Sequence, residues 1–384
     1  MTGVTNEIAA LVVGDGAVAP WGIRPAERLA RAFRRAGVAA VARHPEPPPA
    51  AARVVVVRGD HVYDEALVRG LARQPDVLLL GADGHTPLAA NVAASDARAM
   101  AEALAAKGPL PATLGLVARD GEALASAYRQ ALRKRSAPLL VALDGADRRA
   151  VERRMFDDSY KGVTDLVTKF VWPTPAFWAT RACARLGISP NLVTWASLAF
   201  VLLALVLFRD GHFVAGVAAA WAMCFLDTVD GKLARVTLTS SRFGNALDHG
   251  IDLIHPPFWY LAWAAALEDG GLATPMHDLV VAVVVAGYVV GRLQEGLFLW
   301  LFGFEMHVWR RLDSWFRLIT ARRNPNLILL SLGALAGRPD LGLLAVAAWT
   351  VVSMAFHFAR IGQAFVVRSR GGSLGSWLAD ARRA

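Results

Sequence analysis

Asp227-Thr228-Val229-Asp230-Gly231-Lys232-Leu233-Ala234-Arg235, eight further residues, and then Gly244-Asn245-Ala246-Leu247-Asp248-His249-Gly250-Ile251-Asp252 decide how this chain is read. Both stretches lie in hydrophobic segments, where an ionisable group is costly and needs a partner or a task. Asp227 and Asp230 are three apart and Asp248 and Asp252 four apart, so each pair shares one face of its helix. Two such faces turned toward each other make a box of four carboxylates. Unfilled, the box repels itself; with one or two hard divalent cations it is stable and reactive. The plainer alternative is a set of helix-end aspartates reaching water beside arginines. His249 reads as a packing or hydrogen-bonding histidine rather than a ligand.

The frame D-x2-D-G-x2-A-R-x8-G-x3-D-x3-D resembles the signature of the CDP-alcohol phosphotransferase (CDP-alcohol phosphatidyltransferase) family. Asp227, Asp230, Gly231, Ala234, Arg235, Gly244, Asp248 and Asp252 match every fixed position. The resemblance implies a transferase of phospholipid biosynthesis, in which an alcohol attacks the β-phosphorus of a CDP-alcohol and CMP leaves. It implies Asp227, Asp230, Asp248 and Asp252 as ligands of Mg2+ or Mn2+, two ions in number, and Asp252 also as the catalytic base. Asp227, Gly231, Ala234, Arg235 and Gly244 would border the nucleotide, the small residues leaving it room. Residues 188–194 are similar to the family's entry segment, which adds Asn191 and Thr194 to the nucleotide set.

The chain has 384 residues, 55% of them hydrophobic, and a mean hydropathy of +0.38. That composition points to several membrane spans. The apolar mass is uneven: eleven of the twelve tryptophans follow residue 170. The expectation is an α-helical polytopic membrane domain of six transmembrane helices, preceded by a cytoplasmic α/β domain. Residues 1–10 contain Asn6 and Glu7 and no basic stretch, unlike a signal peptide. Net charge is +9, with only five lysines among 41 basic residues. A basic balance suits nucleic acid or an anionic membrane surface; beside these apolar runs it is read as membrane, without nucleic acid. Cys183 and Cys224 offer neither a disulfide framework nor metal-ligand spacing. A homodimer stays open.

Four regions follow: an α/β domain over 1–150, a linker and interfacial amphipathic helix over 151–187, the membrane domain over 188–370, and a tail over 371–384. In the first, strands are expected at 8–13, 53–57, 77–80 and 138–143. Helices are expected at 25–36, 63–73, 95–106 and 121–133, with Ser95 as an N-cap, giving a largely parallel sheet. The Gly14-Asp15-Gly16 turn, Trp21–Pro25 and Arg58-Gly59-Asp60-His61 faintly resemble a sugar-nucleotidyltransferase, with Asp60 where such enzymes keep a metal-binding aspartate. The glycine loop is eroded and its following lysine missing, which implies a degenerate domain. Residues 146–161 read as a charged helix. Residues 173–186 read as the interfacial helix, Phe177 and Trp178 toward lipid, Arg181 and Arg185 toward head groups.

Spans are expected at 191–208, 213–236, 243–267, 279–304, 326–336 and 341–367. With the first domain cytoplasmic, the outer loops keep Arg209 and Arg338, while the inner side holds the remaining arginine clusters, as the positive-inside tendency asks. That orientation faces the aspartates to the cytoplasm of an inner membrane. Arg322 and Arg323, with Arg292, are read as binding a phosphorylated acceptor, or alternatively as touching lipid phosphates. Two other functions compete. One keeps the chemistry but takes a CDP-linked head group, such as CDP-inositol, as donor to a lipid or polyol. The other is a divalent-cation transporter, against which stands the clustering of the aspartates at one membrane face.

Overall fold

The computed structural model describes residues 7–38, 40–110 and 114–380. Part of the opening segment and residues 381–384 of the expected tail therefore lie outside the described residues. The chain forms two compact units: 1–129 with 135–160 and 235–238, and 130–134 with 161–234 and 239–384.

In the first unit the strands are β1 (Ile8–Val13), β2 (Val41–Arg43), β3 (Arg53–Arg58), β4 (His61–Tyr63), β5 (Val77–Leu80), β6 (Pro87–Ala93) and β7 (Val117–Arg119). Six of them make one sheet in the order β2-β1-β3-β6-β5-β7, while β4 pairs antiparallel with Leu140–Ala142. The sheet is mixed, because β6 runs antiparallel to both β3 and β5. The β3 run Val54–Val57 is buried on both faces, as a central strand requires. Val55 and Val57 meet α1 (Pro25–Arg35) and α2 (Glu65–Arg73) through Phe33, Leu67 and Leu71. Val54 and Val56 meet Met100 and Leu104 of α3 (Ala97–Ala106). The result is a sheet covered by helices on both faces.

Two local expectations fail here. Ser95 does not cap α3; it lies in the 3-10 turn Ala94–Asp96 that precedes it, and no side chain caps the helix. The helix expected over 121–133 shrinks to α4 (Gly121–Leu124), capped by Asp120. Beyond it Tyr128–Arg129 is extended, and Arg129 reaches the carboxylates of Asp64 and Asp158. A largely buried guanidinium paired with two acids outweighs a weak local helix preference. The charged helix appears as α5 (Arg148–Asp158).

The second unit is helical: α6 (Pro173–Arg185), α7 (Pro190–Arg209), α8 (Phe213–Thr237), α9 (Arg242–Asp269), α10 (His277–Phe302), α11 (Arg311–Phe316), α12 (Arg323–Leu335) and α13 (Pro339–Ser369). Of these, α7, α8, α10 and α13 are long and apolar enough to cross a membrane. The third and fifth expected spans form helices outside that set. Helix α9 carries acids at both ends, and α12 has 13 residues, roughly 20 Å at 1.5 Å per residue against a hydrocarbon core near 30 Å. In α6, Trp178 is exposed as expected, but Phe177 and Arg181 are buried. Their apolar face packs inward rather than toward lipid.

Lipid tails are as apolar as leucine, so helices in a bilayer associate through close packing and hydrogen bonds. Both devices are present. Phe208, Phe213 and Trp263 form an aromatic cluster with centroids 4.6 to 5.1 Å apart. The indole N–H of Trp259 donates to Val201 O at 3.0 Å, and that of Trp263 to Pro339 O at 3.1 Å. Where α12 meets α13, a Cβ at Gly333 would lie 2.6 Å from Cα of Gly342. Backbone cannot yield there as a side chain would. Gly333→Val should therefore cost about 1–3 kcal/mol by overpacking, visible as a lowered melting temperature in detergent, whereas a matched Val at exposed Gly362 should leave it unchanged.

Candidate functional site

The site begins at the start of α7. Ser189 caps that helix by accepting from Leu192 N at 3.2 Å, and Pro190 opens it. This sets Asn191 and Thr194 on the first turn. The Thr194 hydroxyl donates to Asp230 Oδ2 at 2.6 Å, inside the fold. A Cβ on Gly244 would sit 2.5 Å from Asn191 Oδ1. Gly244 thus lets α9 approach α7 closely enough to bring the Asn191 side chain against it. Ser241 caps α9, accepting from Gly244 N at 2.9 Å.

Helices α8 and α9 then present their acids to each other. Asp227, Asp230 and Asp248 each offer an oxygen such that all three lie within 4.8 Å of one another. Asp252, one turn beyond Asp248, stands outside that trio. Its carboxylate, 42% exposed, is held by Arg323, whose other Nη donates to Asp227. One guanidinium at the start of α12 thus clamps a carboxylate from each of the two motif helices. Gly231 and Ala234 continue the Asp227 stripe along α8. Arg235 groups with the first unit. His249 is 83% exposed and its Nδ1 lies 2.9 Å from Asn245 O.

The backbone at Asp252 is held from outside its own helix. Pro256 and Pro257 lie inside α9 and have no N–H, so the carbonyls four residues earlier lose their intrahelical donors. Those carbonyls belong to Asp252 and Leu253, and the Tyr288 hydroxyl of α10 reaches both, at 3.2 and 3.1 Å.

Asp252 also lines a cavity of about 380 Å3 with six basic residues, Arg133, Lys161, Arg292, Arg317, Arg322 and Arg323, beside one further acid, Asp165, and neutral residues such as Tyr288. Glu295 of α10 orients two of them, accepting from Arg292 at 2.8 Å and from Arg322 at Nε and Nη2. Arg317 is buried, and its Nε and Nη1 have no hydrogen-bond partner among the described residues. Burial lowers its pKa to about 10; Asp165 opposes that shift, and Arg133 and Arg292 reinforce it. Buried, like-charged and unsatisfied donors call for an anion. Of this lining, Arg292, Arg322 and Arg323 are expected from sequence. Arg133 is not, because its segment reads as helix, and Arg317 is one more arginine in a basic loop.

In the first unit, the Asp15 carboxylate accepts from its neighbour Gly16 N at 3.1 Å and from Ala26 N, in the first turn of α1, at 3.2 Å. Asp60 is paired with Arg58 and lies 2.6 Å from His61 Nδ1 and 3.8 Å from Lys107 Nζ. Burial would raise its pKa, but the bonds from His61 and Arg58 win and hold it well below the usual carboxylate range.

Fold and site together define a membrane protein that gathers carboxylates from two neighbouring helices beside an arginine-lined cavity. Residues 187–324 match the family model described as CDP-alcohol phosphatidyltransferase, and this segment of the chain is a domain of that family. It is 33% identical over 118 residues to a phosphatidylinositol phosphate synthase of Mycobacteroides abscessus, covering 29% of this chain and 54% of the relative. It is 32% identical over 119 residues to the enzyme of that name from Mycobacterium tuberculosis, covering 30% and 55%. A bifunctional IPC transferase and DIPP synthase of Rubrobacter xylanophilus is 32% identical over 167 residues, covering 42% and 34%. The chain thus spans about half the length of the curated synthases it matches.

The trio Asp227, Asp230 and Asp248 suits a hard cation, since all its donors are carboxylate oxygens at mutually compatible distances. Arg323 competes with such a cation for Asp227. Arg323→Gln should therefore tighten Mn2+ binding by about tenfold, roughly 1.4 kcal/mol, as read from free Mn2+ by electron paramagnetic resonance. An affinity unchanged or weakened would show that the guanidinium does not compete.

Proposed function

We propose that this chain is a metal-dependent CDP-alcohol phosphotransferase that moves a phosphatidyl group from CDP-diacylglycerol to the hydroxyl of a small phosphorylated alcohol, with release of CMP. The observation that carries the reading is the abutment of a three-carboxylate cluster, open to a cation, on a cavity lined by arginines, with Asp252 at the border. Mg2+ or Mn2+ bound there, in two copies, would neutralise the diphosphate and the departing nucleotide.

The protein's own residues divide the work. Asp227, Asp230 and Asp248 hold the cation site, and Thr194 fixes Asp230 by a hydrogen bond. Asp252 takes the acceptor's hydroxyl proton as the acceptor oxygen bonds to the β-phosphorus. The bond from that phosphorus to the bridging oxygen breaks, and CMP carries the electron pair away. Arg133, Arg292, Arg317 and Arg322 bind the acceptor's own phosphate. Asn191, Gly231, Ala234 and Gly244 border the nucleotide, and Arg235 is assigned there on the family motif alone. A separate apolar cavity of about 400 Å3 between α7 and α9 supports a donor with acyl chains. A CDP-linked head group as donor is the second reading; the Rubrobacter relative, named a bifunctional IPC transferase and DIPP synthase, keeps it open.

The same proposal takes α9 and α12 as the third and fifth of six spans, resting on neighbours for what they lack in length or hydropathy. It faces the carboxylates and the α/β domain read over residues 1–150 to the cytoplasm of an inner membrane, on the arginine asymmetry of the loops. It takes 151–187 as linker, 188–370 as the membrane domain and 371–384 as a tail. The internal pairing of Asp15 and Asp60 supports a first unit that no longer activates nucleotides.

Purified protein with CDP-diacylglycerol, CDP-inositol and a panel of polar alcohols tests this. CMP should appear with Mg2+ or Mn2+, and Asp248→Asn should lower its rate on the order of 100-fold or more; full CMP release from that variant would remove the carboxylate cluster from the mechanism. Arg317→Gln removes charge-assisted bonds worth roughly 1.5–3 kcal/mol. The KM for a phosphorylated acceptor should then rise about tenfold or more, while that for the donor stays put. Loss shared equally by both substrates would move the acceptor phosphate elsewhere.

A further inference from the structure

A second cluster of ligand-type side chains lies outside the carboxylate site. Glu295 comes from α10, His307 from the 3-10 turn Met306–Val308 and His357 from α13. Each offers one donor atom, and the three lie within 4.8 Å of one another. Both histidines are 2% exposed. His307 Nε2 lies 3.1 Å from Glu295 Oε1. Its Nδ1, and both ring nitrogens of His357, have no hydrogen-bond partner among the described residues. Three unmade polar contacts in one buried spot are costly and call for an occupant.

We propose that Glu295, His307 and His357 bind a zinc-class transition-metal ion. Two imidazoles and one carboxylate form a nitrogen-rich set that suits such an ion and disfavours Mg2+ or Ca2+, which take oxygen ligands. The set is thereby chemically distinct from the all-oxygen trio of Asp227, Asp230 and Asp248. Arg292 and Arg322 donate to Glu295, as outer partners of a ligating carboxylate do. The ion shares that carboxylate with both guanidinium groups, and the imidazoles add no charge as neutral ligands. The three donors come from three separate elements, so the ion would tie α10, the connection after it and α13 at one point. This inference concerns metal binding alone and stands apart from the transferase reading.

The test uses the full chain, free of any purification tag, in detergent micelles. Asp227→Asn and Asp248→Asn together silence the carboxylate trio. Co2+ added to that protein should give a visible ligand-field band that saturates at one equivalent and is abolished by Zn2+. His357→Ala in the same background should lose the band. A band absent from the silenced protein, or undiminished by His357→Ala, overturns the proposal. Should His357→Ala fail to fold, elemental analysis of the unmutated chain decides. Zinc retained at one equivalent through gel filtration, and still retained after Asp227→Asn, supports the site; zinc absent, or lost with Asp227→Asn, overturns it.

Discussion

The pairing of Arg323 with Asp227 and Asp252 is the contact on which the second unit depends. Four carboxylates from two adjacent helices would drive those helices apart in a medium of low dielectric, where like charges repel far more than in water. A guanidinium is the one side chain that can bridge two carboxylates with a rigid fork and keep its charge when buried. Its position at the first residue of α12 lets a short helix do what a long one would not. It enters the bundle from the side where the acids open, and its basic neighbours turn toward the adjoining cavity. One residue thereby links the acidic cluster, the basic cavity and the packing of α12 on α13.

Charge in this site is balanced internally at several places. Thr194 supports Asp230, Glu295 divides itself between Arg292 and Arg322, and Asp165 faces Arg317. Arg317 is left short of partners, and the excess positive charge collects on one wall. That wall belongs to the cavity that Asp252 borders. The first unit shows the opposite outcome. There Asp15 accepts from Ala26 N in the first turn of α1, and Asp60 is paired with Arg58 and lies close to His61 and Lys107. Similar chemical ingredients are there spent on one another.

Much of this was legible in the chain itself. The spacing of the four aspartates put each pair on one face, and the structure turns those faces together. Asn191, Thr194 and Gly244, read from motif positions, converge on the same helices. Arg133 and Arg317 were not legible, because a pocket assembled from distant segments leaves no local pattern. The helix expected over 121–133 was lost for a related reason. Arg129 finds acids at Asp64 and Asp158, and periodicity carries no record of partners so far away. The strand Pro87–Ala93 was missed because its alanines and asparagine have little strand preference, yet the sheet buries them between β3 and β5.

The two prolines of α9 carry a consequence of another kind. A long helix bends where its backbone hydrogen bonds are missing. Without the hydrogen bonds that Pro256 and Pro257 delete, α9 is mechanically two rods joined at Asp252 and Leu253. Tyr288 ties that joint to α10. Bending of the C-terminal rod is then taken up at the joint, while the rod that bears Asp248 follows α10 instead. Motion at the far end of α9 thus reaches the carboxylates damped by that tie.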